Sequence, residues 1–313
     1  MKYVKRCLLF LGFALAGTTA QAQVKMLTLQ DMSSFKTQAG NWRIVGDVTM
    51  DPTIEIHAHE AETAEISSKK NKKSKEKPVP QPQAVTYTEG KGILLNMNDG
   101  GKKDNLISAF EHGDIELELE VMMPKGSNSG IYLQGRYEVQ LLDSWGVKDA
   151  KYSDIGGIYR NWESEKDKIY MGKAPLSNPA KAPGLWQKMK ISFRAPKFDA
   201  TGKKIENARF ISVELNGVKI HNNVEVPLPT GGPIENNEKA SGPLMIQGDH
   251  GPVAFRNIQY KLMKEINCSI KDITYKTYYG NFKTVSDFSS LKPSVSGSGN
   301  ELTCEVLEKE NGY

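Results

Sequence analysis

Cysteine is scarce in this chain: three residues in 313, Cys7, Cys268 and Cys304. Cys7 lies in the N-terminal leader described below. The other two lie near the C-terminus, apart from every other feature, and suit either one structural disulfide in an oxidising compartment or two idle thiols. No Cys/His cluster has zinc spacing. His57 and His59 are a spaced pair, but no acidic or Cys partner accompanies them. Long apolar runs are missing as well. The one clear run, Cys7 to Gly17, is too short to span a bilayer, and nothing later resembles a transmembrane helix. There is no sustained amphipathic helical stretch, which sets helical folds aside. Nor is there a true excess of basic charge. The formal charge of +4 falls to about +1 without the leader's three basic residues. Most of what remains sits in one run, Lys69, Lys70, Lys72, Lys73, Lys75 and Lys77. That pattern reads as a solvated lysine loop, and gives no argument for nucleic acid.

The leader has the parts of a signal peptide: Lys2, Lys5 and Arg6, then the apolar run, then Ala20-Gln21-Ala22 before Gln23. Cys7 opens the apolar run and does not follow it, which does not fit a lipoprotein anchor. Residues 1–22 are therefore expected to be removed on export, to the periplasm or cell envelope of a bacterium.

Beyond the leader the chain reads as β-structure. Strand patterns cover Trp42 to Val48, Gly92 to Met97, Asp114 to Met122, Trp186 to Phe193, Ala208 to Leu215, Val218 to His221, Gly242 to Ile246 and Val253 to Tyr260. In Asp114–Met122, Ile115, Leu117, Leu119 and Val121 alternate with Glu116, Glu118 and Glu120, as in a half-buried strand with a water-facing carboxylate row. Asn216-Gly217 is the strongest short hairpin signal. Short strands and polar turns predict an all-β sandwich of about a dozen strands, of jelly-roll type. Residues 57–85 run from Ala/Glu-rich to Lys-rich to Pro-rich, and are expected to form a flexible insertion. The sandwich is expected over residues 23–265. Residues 266–313 depart from its pattern and read as a small appended β segment that looks incomplete.

One stretch concentrates the chemistry: Asn128 to Ser144, NSGIYLQGRYEVQLLDS. It predicts a hairpin in which Tyr137, Val139 and Leu141 face one way and Glu138, Gln140 and Leu142 the other. A carboxylate and a carboxamide then stand side by side, about 7 Å apart along the strand. Asn128-Ser129-Gly130 reads as turn chemistry. A solvated outer face explains the polar pair more simply than a site does, until partners are found for it.

This hairpin, together with Gly156-Gly157-Ile158-Tyr159, LWQKMKISF, the VELNGV turn and GPLMIQGDHGPVAFRNIQY, resembles the 3-keto-disaccharide hydrolase family, over roughly Trp42 to Met263. The resemblance implies an exported bacterial protein with a concanavalin A-like sandwich. It also implies an enzyme that cleaves glycosides whose sugar is already oxidised at C3, so a sugar C3-oxidoreductase would act upstream. A C3 ketone acidifies the C2–H, so such a site needs a general base, a group that stabilises the enolate and an acid for the leaving group. The matching positions are Glu138, Gln140, Asp143, Gln247, His250 and Arg256. Glu138 or His250 would serve as base, and Asp143 would orient a base or bind a metal. Arg256 would stabilise negative charge or simply tie two strands together. Gln140, Gln247, Asn128, Tyr159 and Trp162 would bind the sugar. Glu138, Asp143 and His250 would also suit a divalent cation, although no spacing motif demands one. The alternative is a non-catalytic carbohydrate-binding module, with Trp145, Trp162 and Tyr159 as its aromatic platform.

Overall fold

The computed structural model describes residues 23–36, 40–56, 83–98, 103–163, 166–263, 273–277, 292–293 and 295–299. The chain divides into two compact units, residues 1–263 and residues 264–313.

The first unit is built from two antiparallel sheets. The larger has eight strands: β1 (Lys25–Met26), β2 (Trp42–Met50), β3 (Val85–Asn96), β5 (Ile115–Met122), β8 (Gln187–Arg194), β11 (Ala208–Leu215), β12 (Val218–Val226) and β14 (Val253–Leu262). Its order is β12-β11-β8-β5-β14-β3-β2, with β1 added beside β14. The smaller sheet holds β4 (Leu106–His112), β6 (Asn128–Leu133), β7 (Tyr137–Leu142) and β13 (Gly242–Ile246), in the order β4-β13-β6-β7. The chain passes repeatedly from one sheet to the other: β3 to β4 to β5, then β7 to β8, then β12 to β13 to β14. The expected all-β jelly-roll sandwich is thus what forms. A short ribbon, β9 (Lys197–Phe198) with β10 (Lys204–Glu206), stands apart from both sheets. Among the described residues no helix is long and apolar enough to cross a membrane.

Alternation decides which face each strand buries. Ile115, Leu117, Leu119 and Val121 of β5 and Met189, Ile191 and Phe193 of β8 lie in one core with Ile131, Leu133, Tyr137, Val139 and Leu141 of the β6–β7 hairpin. Each fully buried aliphatic or aromatic side chain contributes about 1.5–3 kcal/mol. Tyr137 is fully buried, its ring centroid 5.4 Å from that of Phe193, which is 5.2 Å from Phe210. Because strand side chains alternate, a slip of one residue in β7 would expel Tyr137 and drive Glu138 into hydrocarbon. The core therefore pins the register of the polar face.

The glutamate row of β5 lies on the outer face of the larger sheet, as expected. Glu118 pairs with Lys188 (2.7 Å), Glu116 with Lys261 (3.9 Å) and Glu120 with Arg256 (2.6 Å). The strand around Gly92 is longer than the sequence pattern indicates. It starts at Val85 and pairs with β2 along its whole length, through a register shift after Val45. At that shift Gly46 and Gly90 touch: a Cβ on Gly90 would lie 2.6 Å from Gly46 Cα. Two glycines let the backbones close where larger residues would hold them apart.

Most of the expected insertion, residues 57–82, lies outside the described residues, as do His57, His59, Cys268 and Cys304. In the second unit β15 (Ile273–Thr277) and β16 (Val295–Gly299) form an antiparallel pair.

Candidate active site

The polar face of β7 is not solvated. Glu138 is 2% exposed and Gln140 4%. Both lie on the outer face of the smaller sheet, but loops cover them.

Registers place the neighbours. Tyr132 of β6 pairs directly with Glu138, and Met245 of β13 pairs with Tyr132. On the other side, Ile158 bridges to Val139 and the Tyr159 N–H donates to Glu138 O (3.2 Å), so residues 156–159 extend the sheet edge. One row across the face therefore reads Met245, Tyr132, Glu138, Tyr159. The next row reads Gln247, Gly130, Gln140, Gly157. It is held by Gln247 N–H to Gly130 O (2.9 Å), the Gly130–Gln140 pair, and Gln140 N–H to Gly157 O (2.8 Å).

Asn128-Ser129-Gly130, read as turn chemistry from sequence, is instead the first half of β6. The turn falls at Gln134 and Gly135, whose φ of 53° and 64° suit a tight hairpin. Gly130 has a specific task. A Cβ there would lie 2.1 Å from Glu138 Oε1. The missing side chain is the space the carboxyl occupies.

Gln140 lies between Asn128 and Glu138. In the amide orientation that satisfies its surroundings, Nε2 donates to Glu138 Oε1 (3.0 Å) and to Ser129 O (3.1 Å). The Tyr132 hydroxyl donates to Gly231 O (2.9 Å) and also lies within hydrogen-bonding reach of Glu138. Burial disfavours the charged carboxylate and pushes Glu138 up to about 8. The hydrogen bond with Tyr132 opposes this rise, and the nearby Asp249 charge adds to it. Burial, reinforced by the Glu138 charge, likewise raises Tyr159, against the Arg160 guanidinium beside it. Gln247 Oε1 is buried with no partner, the state expected of an acceptor that a ligand hydroxyl completes.

His250 lies half-buried in the loop after β13, its Nδ1 2.5 Å from Asp249 Oδ1. Trp162 is 65% exposed, and its indole lies over Gly231, where a Cβ would come within 2.3 Å of Nε1.

The structure thus brings Glu138, Gln140, Asn128, Gln247 and Tyr159 onto one face. His250 approaches through Asp249, and Trp162 lies beside the Gly231 segment. Two expected residues do not join them. Asp143 lies past the end of β7, about 16 Å along the chain from Glu138 by strand rise. Its carboxylate accepts the Gly126 N–H (3.1 Å) and the Trp145 N–H (3.4 Å), which ties down the loop. Arg256 is on the outer face of the larger sheet, on the far side of the core. There its Nε donates to Glu120 Oε2 (2.6 Å) and its guanidinium stacks 4.1 Å above the Trp186 ring. The strand-tying reading of Arg256 is therefore the one the geometry favours. The cation set of Glu138, Asp143 and His250 does not assemble either. Among the described residues no three His, Cys, Asp or Glu side chains converge as metal ligands do.

Sequence reasoning missed Tyr132, Asp249 and Arg160. Tyr132 was within reach, because a turn at Gln134-Gly135 sets it opposite Glu138. Asp249 stands in the GDHG segment, next to His250.

The sequence profile of the 3-keto-alpha-glucoside-1,2-lyase-like domain matches residues 57–261. The chain belongs to this family. The match begins later than the resemblance read from Trp42, so β2 precedes it, and it takes in the Lys/Pro-rich stretch. Membership in the 3-keto-alpha-glucoside-1,2-lyase-like family makes the protein a carbohydrate-active hydrolase- or lyase-like chain. Among solved structures, a putative glycosyl hydrolase from Parabacteroides distasonis is similar at 26% identity and a TM-score of 0.45, covering 57% of this chain and 75% of that one. The alginate lyase vAL-1 from a Chlorella virus is 13% identical with a TM-score of 0.34, covering 76% and 99%. The carbohydrate-binding module CBM66 from Bacillus subtilis is 10% identical with a TM-score of 0.32, covering 54% and 86%. None of these likenesses bears on activity. No curated protein sequence matches the chain.

Proposed function

We propose that the protein cleaves glycosides whose sugar carries a ketone at C3, with Glu138 as the base that removes the C2 proton. The observation that carries this reading is the Glu138 carboxyl itself. It is buried on the polar face, given room by Gly130, bonded by Gln140 and Tyr132, and pushed up to about 8. A carboxylate in such surroundings is a stronger base than one in water, which suits removal of a proton beside a carbonyl. The electron pair left at C2 is delocalised onto the C3 oxygen as an enolate. The enolate then expels the C1 substituent, leaving a C1=C2 double bond beside the restored ketone. Addition of water across that bond converts the elimination into net hydrolysis. Gln247 Oε1 accepts a sugar hydroxyl, and Asp249 orients His250.

With Glu138 only 2% exposed, a sugar reaches it once the covering segments shift. The Gly231–Gly232 segment, which Trp162 overlies and Tyr132 grips through Gly231 O, is one such cover.

Two further parts of the reading concern context. The leader supports export, to the periplasm or cell envelope. The substrate must come from an enzyme class that oxidises a sugar at C3.

A non-catalytic sugar-binding role finds support in Trp145 and Trp162, exposed at 62% and 65%. A buried, high-pKa carboxyl is costly to maintain and adds little to sugar binding alone, which favours catalysis. The test is release of the aglycone from a 3-keto-glucoside, set against the unoxidised glucoside. Release from the keto-sugar alone is expected. Tight calorimetric binding of unmodified oligosaccharides without turnover of any keto-sugar would replace the enzyme by the binding module.

A further inference from the structure

Elimination needs an acid as well as a base, because the departing C1 oxygen leaves as an alkoxide unless it is protonated. Two phenols flank Glu138 in its row, and they are not equivalent. Tyr132 is almost wholly buried, and its hydroxyl hydrogen is already shared between Gly231 O, at 2.9 Å, and the Glu138 carboxyl. Tyr159 lies on the other side, half-buried, cross-strand from Glu138 at the edge of the sheet. The Arg160 side chain reaches its hydroxyl. Arg160 Nε is itself buried and has no hydrogen-bond partner. An arginine cannot shed its charge, so a buried N–H of this kind left without an acceptor calls for an explanation. A reacting oxygen beside Tyr159 would provide one.

We propose that Tyr159, polarised by Arg160, is the acid that protonates the leaving oxygen at C1. Tyr159 is the catalytic residue and Arg160 acts through it as a positioning residue. This rests on the keto-sugar reading of the site given above.

The proton count closes. Glu138 gains the C2 proton while the C2–H electron pair becomes the enolate. The enolate re-forms the C3 ketone and the C1=C2 bond as the C1–O bond breaks, with that bond's electron pair staying on the aglycone oxygen. Tyr159 gives its proton to that oxygen, and the phenolate formed lies against the Arg160 charge. Passage of the Glu138 proton to Tyr159 through water restores both groups, with no outside oxidant or reductant. Arg160 opposes the rise that burial and the Glu138 charge give Tyr159, so the phenol is a better donor than it would be without that arginine. Arg256, which the sequence reading offered as a stabiliser of negative charge, lies on the far side of the core and takes no part.

The experiment uses the full chain, with Tyr159→Phe, Arg160→Gln and Arg160→Lys beside wild type. Two 3-keto-glucosides are compared, one with a 4-nitrophenol aglycone and one with an alkyl alcohol aglycone. Deuterium uptake at C2 and aglycone release are followed in D2O. Tyr159→Phe is expected to keep C2 exchange within about 3-fold of wild type. It should lose roughly 100-fold or more in release of the alkyl alcohol, and much less with nitrophenol, which leaves without an acid. Arg160→Gln should show the same leaving-group dependence more weakly, with Arg160→Lys partly restoring the rate. Equal losses for both aglycones in Tyr159→Phe, or loss of C2 exchange together with release, would overturn the assignment. Wild type that neither exchanges C2–H nor releases either aglycone would overturn the keto-sugar reading beneath it, and this assignment with it.

Discussion

Gly130 and Glu138 stand on adjacent strands of one hairpin, and the absence of a side chain on the first makes room for the carboxyl of the second. A β-carbon on Gly130 would lie 2.1 Å from Oε1 and 3.0 Å from Cδ of Glu138. Gly130→Ala should therefore push the carboxyl aside while the strand pairing survives. The expected outcome is a drop of roughly 100-fold in kcat/KM, the scale on which misplacement by about 1 Å is felt. The accompanying loss of stability should be about 1–3 kcal/mol, as for overpacking. Kinetics and thermal unfolding of the same variant check both.

The pH profile follows from the same carboxyl. With Glu138 pushed up to about 8, it is mostly protonated at neutral pH, and the base form grows as pH rises. kcat/KM should climb through an apparent pKa near 8. A rate that instead falls through that range would make Glu138 an acid in the free enzyme.

Stability should answer to Glu138 in the opposite sense. Its folded pKa is raised above the ordinary 4.5, so its contribution is full below 4.5 and is lost as pH rises through about 8. Glu138→Gln removes that titration. The variant should be more stable than wild type at pH 9, with the gap narrowing toward pH 5, as measured by denaturant unfolding at both values.

Two buried histidines set the acid limit. His112 accepts the Gln134 N–H through Nε2 (2.9 Å) while its Nδ1 meets Gly113 O (2.8 Å), and His221 Nε2 meets Gly156 O (2.8 Å). Burial lowers each to about 4. The sign follows from the depression: the neutral rings are fully favourable above 6.5, and their contribution is lost as pH falls toward 4. Each would cost about 3 kcal/mol once both states are protonated. Both lie behind the site, His112 under the hairpin turn and His221 under the edge strand carrying Tyr159. Unfolding midpoints should fall between pH 6.5 and 4 in the wild type. His221→Gln should flatten part of that fall.

Arg256→Ala and Asp143→Asn should separate packing from chemistry. Arg256 pairs with Glu120 and stacks on Trp186, and Asp143 holds the Gly126 loop. Each variant is expected to lose about 1 kcal/mol of stability, in line with part-exposed ion pairs and single hydrogen bonds. Each should retain kcat/KM within about 3-fold, since neither touches the Glu138 face. A loss of 100-fold in either would move that residue into the site.

The sandwich was legible because its signals are local. Alternation in Ile115–Met122 and the Asn216-Gly217 turn fix strand faces without reference to the rest of the chain. The site was legible only along its own strand. Glu138 and Gln140 share a face by period two, and Tyr159 and Gln247 came with recognisable segments. What alternation cannot say is whether that face meets water or loops, and here the difference is between a surface glutamate and one raised to about 8. Arg256 was left open between the site and a strand tie for the same reason. Its neighbours in sequence resemble the site's, but β14 belongs to the other sheet and turns Arg256 away from the core. Arg160 gave no signal until residues 156–159 were seen to pair with β7, a long-range contact that no spacing encodes.

The most direct test of the central claim is proton exchange at C2. A 3-keto-glucoside in D2O is followed by NMR with wild type and with Glu138→Gln. The account predicts deuterium at C2 and aglycone release with wild type, and a fall in both of roughly 100-fold or more in the variant, the scale set by loss of a general base. Undiminished C2 exchange in a folded Glu138→Gln protein would contradict it.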